Sequence, residues 1–248
     1  MEKARFNVKM RVLDIDLDFF LADCCELAPI GERPPLLGHE PWSEAQVRRF
    51  LEENCGLNRD KPISGRAFET HDGALLFWEE LIAAGKLTVP FEVTHIDAHS
   101  DLGIGKPGPG FVLNSVITLD PAKRADIARY YEMKQLDEAN YLLFAIAFRW
   151  VSALENVRNP RSRADIPDFA HKNDSGEYTH IKLSSFVSRL FEAKNGEEPA
   201  IPFAVYSDYT EFKAQGKYDF VSVARSPRYA PKEADALMDV IGDYVKLI

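Results

Sequence analysis

Phe91-Glu-Val-Thr-His95-Ile-Asp97-Ala-His99-Ser-Asp101 is the stretch on which the reading of this chain turns. An apolar run begins at Phe91 and ends in four metal-binding side chains, one at every second position from 95 to 101. In extended backbone those four share one side, roughly 6.6 Å apart along the strand. A buried strand with a polar end is what an open parallel sheet presents at its carboxyl edge, where such sheets place their sites. Asp and His together are oxygen and imidazole donors, suited to manganese, zinc or ferrous iron. The run Gly103–Gly110, GIGKPGPG, follows directly. It is a loop by composition, and its position suits either an entrance lid or plain surface.

A second acidic strand lies upstream. Val12 to Phe20 alternates Leu13, Ile15 and Leu17 with Asp14, Asp16 and Asp18. Like charges this close raise one another's pKa or need a cation, and burying them unpaired costs several kcal/mol each. One metal site shared by both clusters explains them together. Between them, Ser43 with Gln46 forms a capping box that starts a helix, with Val47, Phe50 and Leu51 as its buried stripe. A second helix is expected from near Asp72 to Ala84, stopped by Gly85, with His71 at its start.

Further along, Pro121 is expected to start a helix, and Asn140–Leu154 reads as a buried helix, with a strand as the alternative. Residues 157–180 read as a polar surface excursion. Ile201–Tyr206 and Tyr218–Ala224 read as strands, and Pro231–Leu247 as the last helix. His95 is expected to be a packed strand histidine, with a place behind the metal ligands as the alternative, and Trp78 and Trp150 to be core. Strands alternating with helices imply a mostly parallel sheet in a layered α/β domain. No linker divides residues 1–248, so a single domain is expected.

Composition narrows the function. Thirty basic against 39 acidic residues give a net charge of −9, which argues against a nucleic-acid surface. The densest basic stretch, Arg158, Arg161 and Arg163, is expected to be solvated. The longest apolar run, Tyr141–Phe148, has eight residues, whereas a membrane span needs about 20. Cys24, Cys25 and Cys55 form no metal or redox spacing. A reduced, cytoplasmic protein acting on a small molecule, with neither nucleic acid nor membrane as partner, is the expectation.

DAHSD (Asp97–Asp101) resembles the DAHxD metal motif of the arginase/agmatinase (ureohydrolase) family, which shares its fold with the histone-deacetylase-like hydrolases. That family also carries a histidine at a helix start some two dozen residues earlier, which His71 matches in spacing, and an Asp-x-Asp strand, which Asp16/Asp18 match best and Asp14/Asp16 second. DIDLDFF, HDGALLFW, HIDAHSDL and the late SPRYAP (Ser226–Pro231) together look like an uncharacterised bacterial family of arginase-like proteins. The resemblance implies a three-layer α/β/α fold. It implies two divalent ions, foremost manganese with zinc or iron as alternatives, held by His71, Asp97, His99, Asp101, Asp16 and Asp18. It further implies metal-dependent hydrolysis of a guanidino or amide C–N bond.

Two features depart from the family. The Asp-x-Asp strand precedes DAHxD instead of following it, a permuted order. Where the family's loop carries a histidine about a dozen residues past the motif, this chain has Asn114 and Ser115; Asn114 is the residue expected to face the substrate pocket. Two other readings stand beside the hydrolase: a non-catalytic metal- or ligand-binding protein on the same scaffold, and a haloacid-dehalogenase-like phosphatase, which also begins with an Asp-x-Asp strand.

Overall fold

Strand-forming residues cluster into nine strands among the described residues, which in this computed structural model are 9–103, 107–185 and 198–248. They are β1 (Arg11–Asp16), β2 (Ile63–Phe68), β3 (Phe91–Asp97), β4 (Val151–Arg158), β5 (Ala170–Lys172), β6 (Tyr178–Ile181), β7 (Ile201–Tyr206), β8 (Phe220–Ala224) and β9 (Val245–Leu247). All join one sheet in the order β5-β6-β7-β4-β3-β1-β8-β2-β9. Every pairing is parallel except β5 with β6 and β6 with β7. The central strands are buried on both faces, as parallel strands covered by helices must be: every residue of β8 is buried, and all of β3 but Glu92.

The helices are α1 (Glu44–Arg49), α2 (Gly73–Ala83), α3 (Ile127–Glu132), α4 (Tyr141–Ala147) and α5 (Ala236–Gly242). Side-chain alternation sorts the core into two halves. Val12, Val93, Leu154 and Phe220 face α2, α3 and α4. Leu13, Ile15, Ile96, Val221 and Val223 face α1 and α5. The result is an α/β architecture consistent with three layers. Among the described residues no helix is long and apolar enough to cross a membrane.

Several expected elements are confirmed: the Ser43/Gln46 capping box, a helix over Gly73–Ala83 with Gly85 at φ +66°, and fully or nearly buried Trp78 and Trp150. Others need correction. The acidic strand stops at Asp16, whose carboxylate accepts the Asp18 N–H at 3.0 Å and coils Leu17–Phe20 into a 3-10 turn. Asn140–Leu154 is neither one helix nor one strand. It is α4 followed by β4, separated by Arg149 in the left-handed region at φ +61°.

Pro121 opens only a 3-10 turn, and α3 starts at Ile127. The last segment divides into a 3-10 turn, α5 and the edge strand β9. The excursion after residue 157 is anchored, because Arg158 and Asn159 are buried. Arg158 is not solvated; it pairs with Asp165 at 2.8 Å and donates to the Ala98 carbonyl at 3.1 Å. The lid reading of the glycine-rich loop falls partly on residues 104–106, which lie outside the described residues.

Candidate metal centre

The alternation that fills the core also builds the site. On the face where β1 offers Val12, the next positions are Asp14 and Asp16; where β3 offers Val93, they are His95 and Asp97; where β8 offers Phe220, it is Ser222. Register places Asp14 directly beside both His95 and Ser222. His71, just before α2, and Tyr141, the first residue of α4, cover this polar patch, with the His71 and His95 rings stacked at 5.1 Å. The carboxyl ends of β1, β2, β3 and β8 therefore meet at one buried cluster.

Distances divide the cluster into two donor sets. The His71 Nδ1 atom lies 2.9 Å from Asp97 Oδ2, 3.1 Å from Asp101 Oδ2 and 3.2 Å from Asp16 Oδ2. His95 Nε2 lies 3.3 Å from the same Asp97 oxygen. Asp101 turns back toward β3 through a left-handed φ of +50°, a conformation Asp tolerates better than most residues. On the outer side, His99 Nδ1 sits 2.9 Å from Asp18 Oδ2 and 3.5 Å from Asp97 Oδ1. Ligand atoms of His71, His95, Asp97 and Asp101 lie within 4.8 Å of one another, as do those of Asp18, Asp97 and His99. Asp97 belongs to both sets, with one oxygen turned to each.

Five carboxylates, Asp14, Asp16, Asp18, Asp97 and Asp101, are all buried here. Burial and the neighbouring Asp16 and Asp97 charges hold the Asp18 carboxyl well above the usual range. Burial and the Asp97 charge push Asp101 up to about 7. Burial alone would raise Asp14 and Asp97 too, but the adjacent imidazoles outweigh it and hold both low. Burial would lower the rings of His71, His95 and His99, yet the carboxylates around them keep all three above the ordinary histidine value. This is a cluster asking for positive charge.

The donor set fits a divalent cation. The Nε2 atom of His95 is buried with no hydrogen-bond partner, and it faces the same volume as His71 Nδ1 and the Asp97 and Asp101 oxygens. An unsatisfied buried imidazole nitrogen is costly, and an ion among these donors satisfies it and neutralises the acids at once.

The six ligands expected from the sequence, His71, Asp97, His99, Asp101, Asp16 and Asp18, come together. Asn114 does not join them. It is exposed on a π turn, where its side chain donates to the Gly110 carbonyl at 3.0 Å. The expectation for His95 is corrected as well: it is a member of the cluster, not packing. Its place in the every-second-residue pattern was the signal. Asp14 is the buried anchor of the cluster, accepting from Ser222 Oγ, Tyr141 Oη and His95 Nδ1.

The late SPRYAP segment also arrives here. Ser226 Oγ donates to Asp16, and the Tyr229 ring lies 4.8 Å from that of His99. A cavity of about 80 Å³ opens above the cluster, with Glu138, Asp165 and Tyr229 at its walls and His99 half-exposed at its floor. No family model, curated protein or solved structure matches the chain.

Proposed function

We propose that the chain is a metal-dependent hydrolase of a C–N bond of guanidino or amide type. One observation carries this reading: Asp97 is shared by two donor sets, and residues of both line one cavity. All six residues that the ureohydrolase resemblance implies as ligands lie in those sets or touch them. Divalent ions held by these residues would supply Lewis acidity, lowering the pKa of water to about 7 and stabilising charge that develops on the oxygen or nitrogen attached to the attacked carbon.

The chain's own residues do the rest. Asp18 and His99 hold the outer position. The Tyr229 ring shields His99 from bulk water. Glu138 and Asp165 line the cavity with their arginine partners Arg228 and Arg158 behind them, and its small volume limits the substrate to a small molecule. A second reading, metal binding without turnover, draws on Asn114, which stands where the resembled family has a histidine and is not among the residues that line the cavity.

Elemental analysis of the purified protein beside Asp97→Ala/His99→Ala tests the proposal. Two manganese, iron or zinc ions per chain, lost in the variant, support it and direct a screen of guanidino compounds. A single zinc directs that screen to acetylated amines. Metal bound without turnover of either class favours the second reading, and no metal after reconstitution refutes both.

A further inference from the structure

We propose that His95 is itself a metal ligand through Nε2, so that the two positions of the centre differ in chemistry. The inner one is a deeply buried two-imidazole, two-carboxylate site that prefers zinc or ferrous iron. The outer one is an open, exchangeable site. This rests on the metal-centre reading above and goes beyond the six ligands that the resemblance implies.

The two nitrogens of the His95 ring have different surroundings. Nδ1 lies 3.2 Å from Asp14 Oδ2 in hydrogen-bonding geometry, and β1–β3 register holds that pair together. With the ring proton on Nδ1, Nε2 turns a bare lone pair toward Asp97 Oδ2 at 3.3 Å and Asp101 Oδ2 at 3.9 Å. Lone pair against carboxylate is repulsive, so something positive stands between them. A second ring proton is badly aimed, since Nε2 is buried and makes no hydrogen bond. An ion is well placed, because the donor atoms of His71, His95, Asp97 and Asp101 are close enough to surround one with bonds of about 2.1 Å after small shifts.

Asp14 also stands behind His71, close to Nε2 but without a hydrogen bond to it. Its Oδ1 lies 3.3 Å from His71 Nε2, while His71 Nδ1 faces the carboxylates. Carboxylate anchors behind ligating imidazoles fix which nitrogen binds.

Selectivity follows from donor type and access. The inner set is buried throughout, with two nitrogens and two oxygens, a combination that suits zinc or iron. The outer set has one imidazole and two carboxylates. The His99 side chain is 33% exposed at the cavity, leaving room for water and for exchange.

The test loads the protein with equimolar zinc and manganese, treats it briefly with a mild chelator and counts the ions left per chain. One zinc retained is expected, with X-ray absorption at the zinc edge counting two imidazoles around it. His95→Gln is expected to weaken that retained ion by more than the roughly tenfold to hundredfold typical of losing a residue behind a ligand, and His99→Ala to remove only the exchangeable one. One imidazole at the retained ion of the unaltered protein overturns the proposal even if the variants fail to fold. So does a His95→Gln variant with unchanged retention, which would make His95 a protonated counter-charge. Failure of the unaltered protein to bind any metal overturns the metal-centre reading instead.

Discussion

Arg124 is wholly buried, and its guanidinium is shared among the carbonyls of Ile117, Leu119 and Ala147 and the carboxylate of Glu198. Arg149 reaches the same carboxylate at 3.2 Å. Burial alone would raise the Glu198 carboxyl, but the two arginines outweigh it and hold it below the usual glutamate value of 4.5. A carboxylate with a depressed folded pKa stabilises the fold above the unfolded pKa, and that contribution fades as pH falls through the folded one. Glu198→Ala is therefore expected to cost on the order of 3–5 kcal/mol at pH 7, because it strands a buried cation. Urea unfolding should show the deficit shrinking below about pH 4.5; a deficit that grows on acidification contradicts the assignment. None of this was legible in the sequence, where Arg124 and Glu198 stand 74 positions apart in polar surroundings. The acidic residues of β1 were half legible. Alternation correctly marked Asp14, Asp16 and Asp18 as a group, but only register showed that Asp14 anchors the cluster from below while Asp16 faces the cavity.

Elements were legible where one signal dominated. The Ser43 capping box and Gly85 punctuated helices as read. Asn140–Leu154 misled because apolar residues line both α4 and β4, and period cannot separate a buried helix from a buried strand. β2 was missed because Ser64, Gly65 and Arg66 give it no strand signature, although Gly65 is what lets it pack. A Cβ there would sit 2.2 Å from the Val221 carbonyl of β8 and 3.0 Å from Val245 of β9. A Cβ at Gly85 meets nothing within 4 Å and suffers only the left-handed backbone. Gly85→Ala should thus cost about 1–2 kcal/mol. Gly65→Ala, which must push backbone against backbone, should cost more than the roughly 1–3 kcal/mol of ordinary overpacking. Thermal unfolding of the two variants side by side checks the ranking, and equal losses would mean that β2 yields more readily than its register implies.

At the scale of the whole molecule, the centre trades stability for charge. Binding to the folded chain alone adds about 2.7 kcal/mol at a hundredfold excess over Kd. For a chain of this length that corresponds to a rise in Tm of roughly 5–10 °C. Calorimetry with and without the retained ion measures it, and a Tm indifferent to chelation of loaded protein refutes the dependence. Asp101→Asn should abolish most of the rise at little cost to the ion-free fold. Burial and Asp97 already push that carboxyl up to about 7, so an uncharged side chain suits the site.

The strand order has a consequence for biosynthesis. β8 lies between β1 and β2, pairing Val12 with Phe220 and Gly65 with Val221. A chain leaving the ribosome amino end first must keep those two early strands apart, both unpaired along the gap, until residues 220–224 emerge. During that wait the acids of β1 stay hydrated, and nothing compels them to take a cation. Only when β8 slides in, bringing Ser222 and Ser226, are they sealed from water. Burial of the acids, and with it the demand for positive charge, therefore waits on β8, the strand that joins β1 to β2.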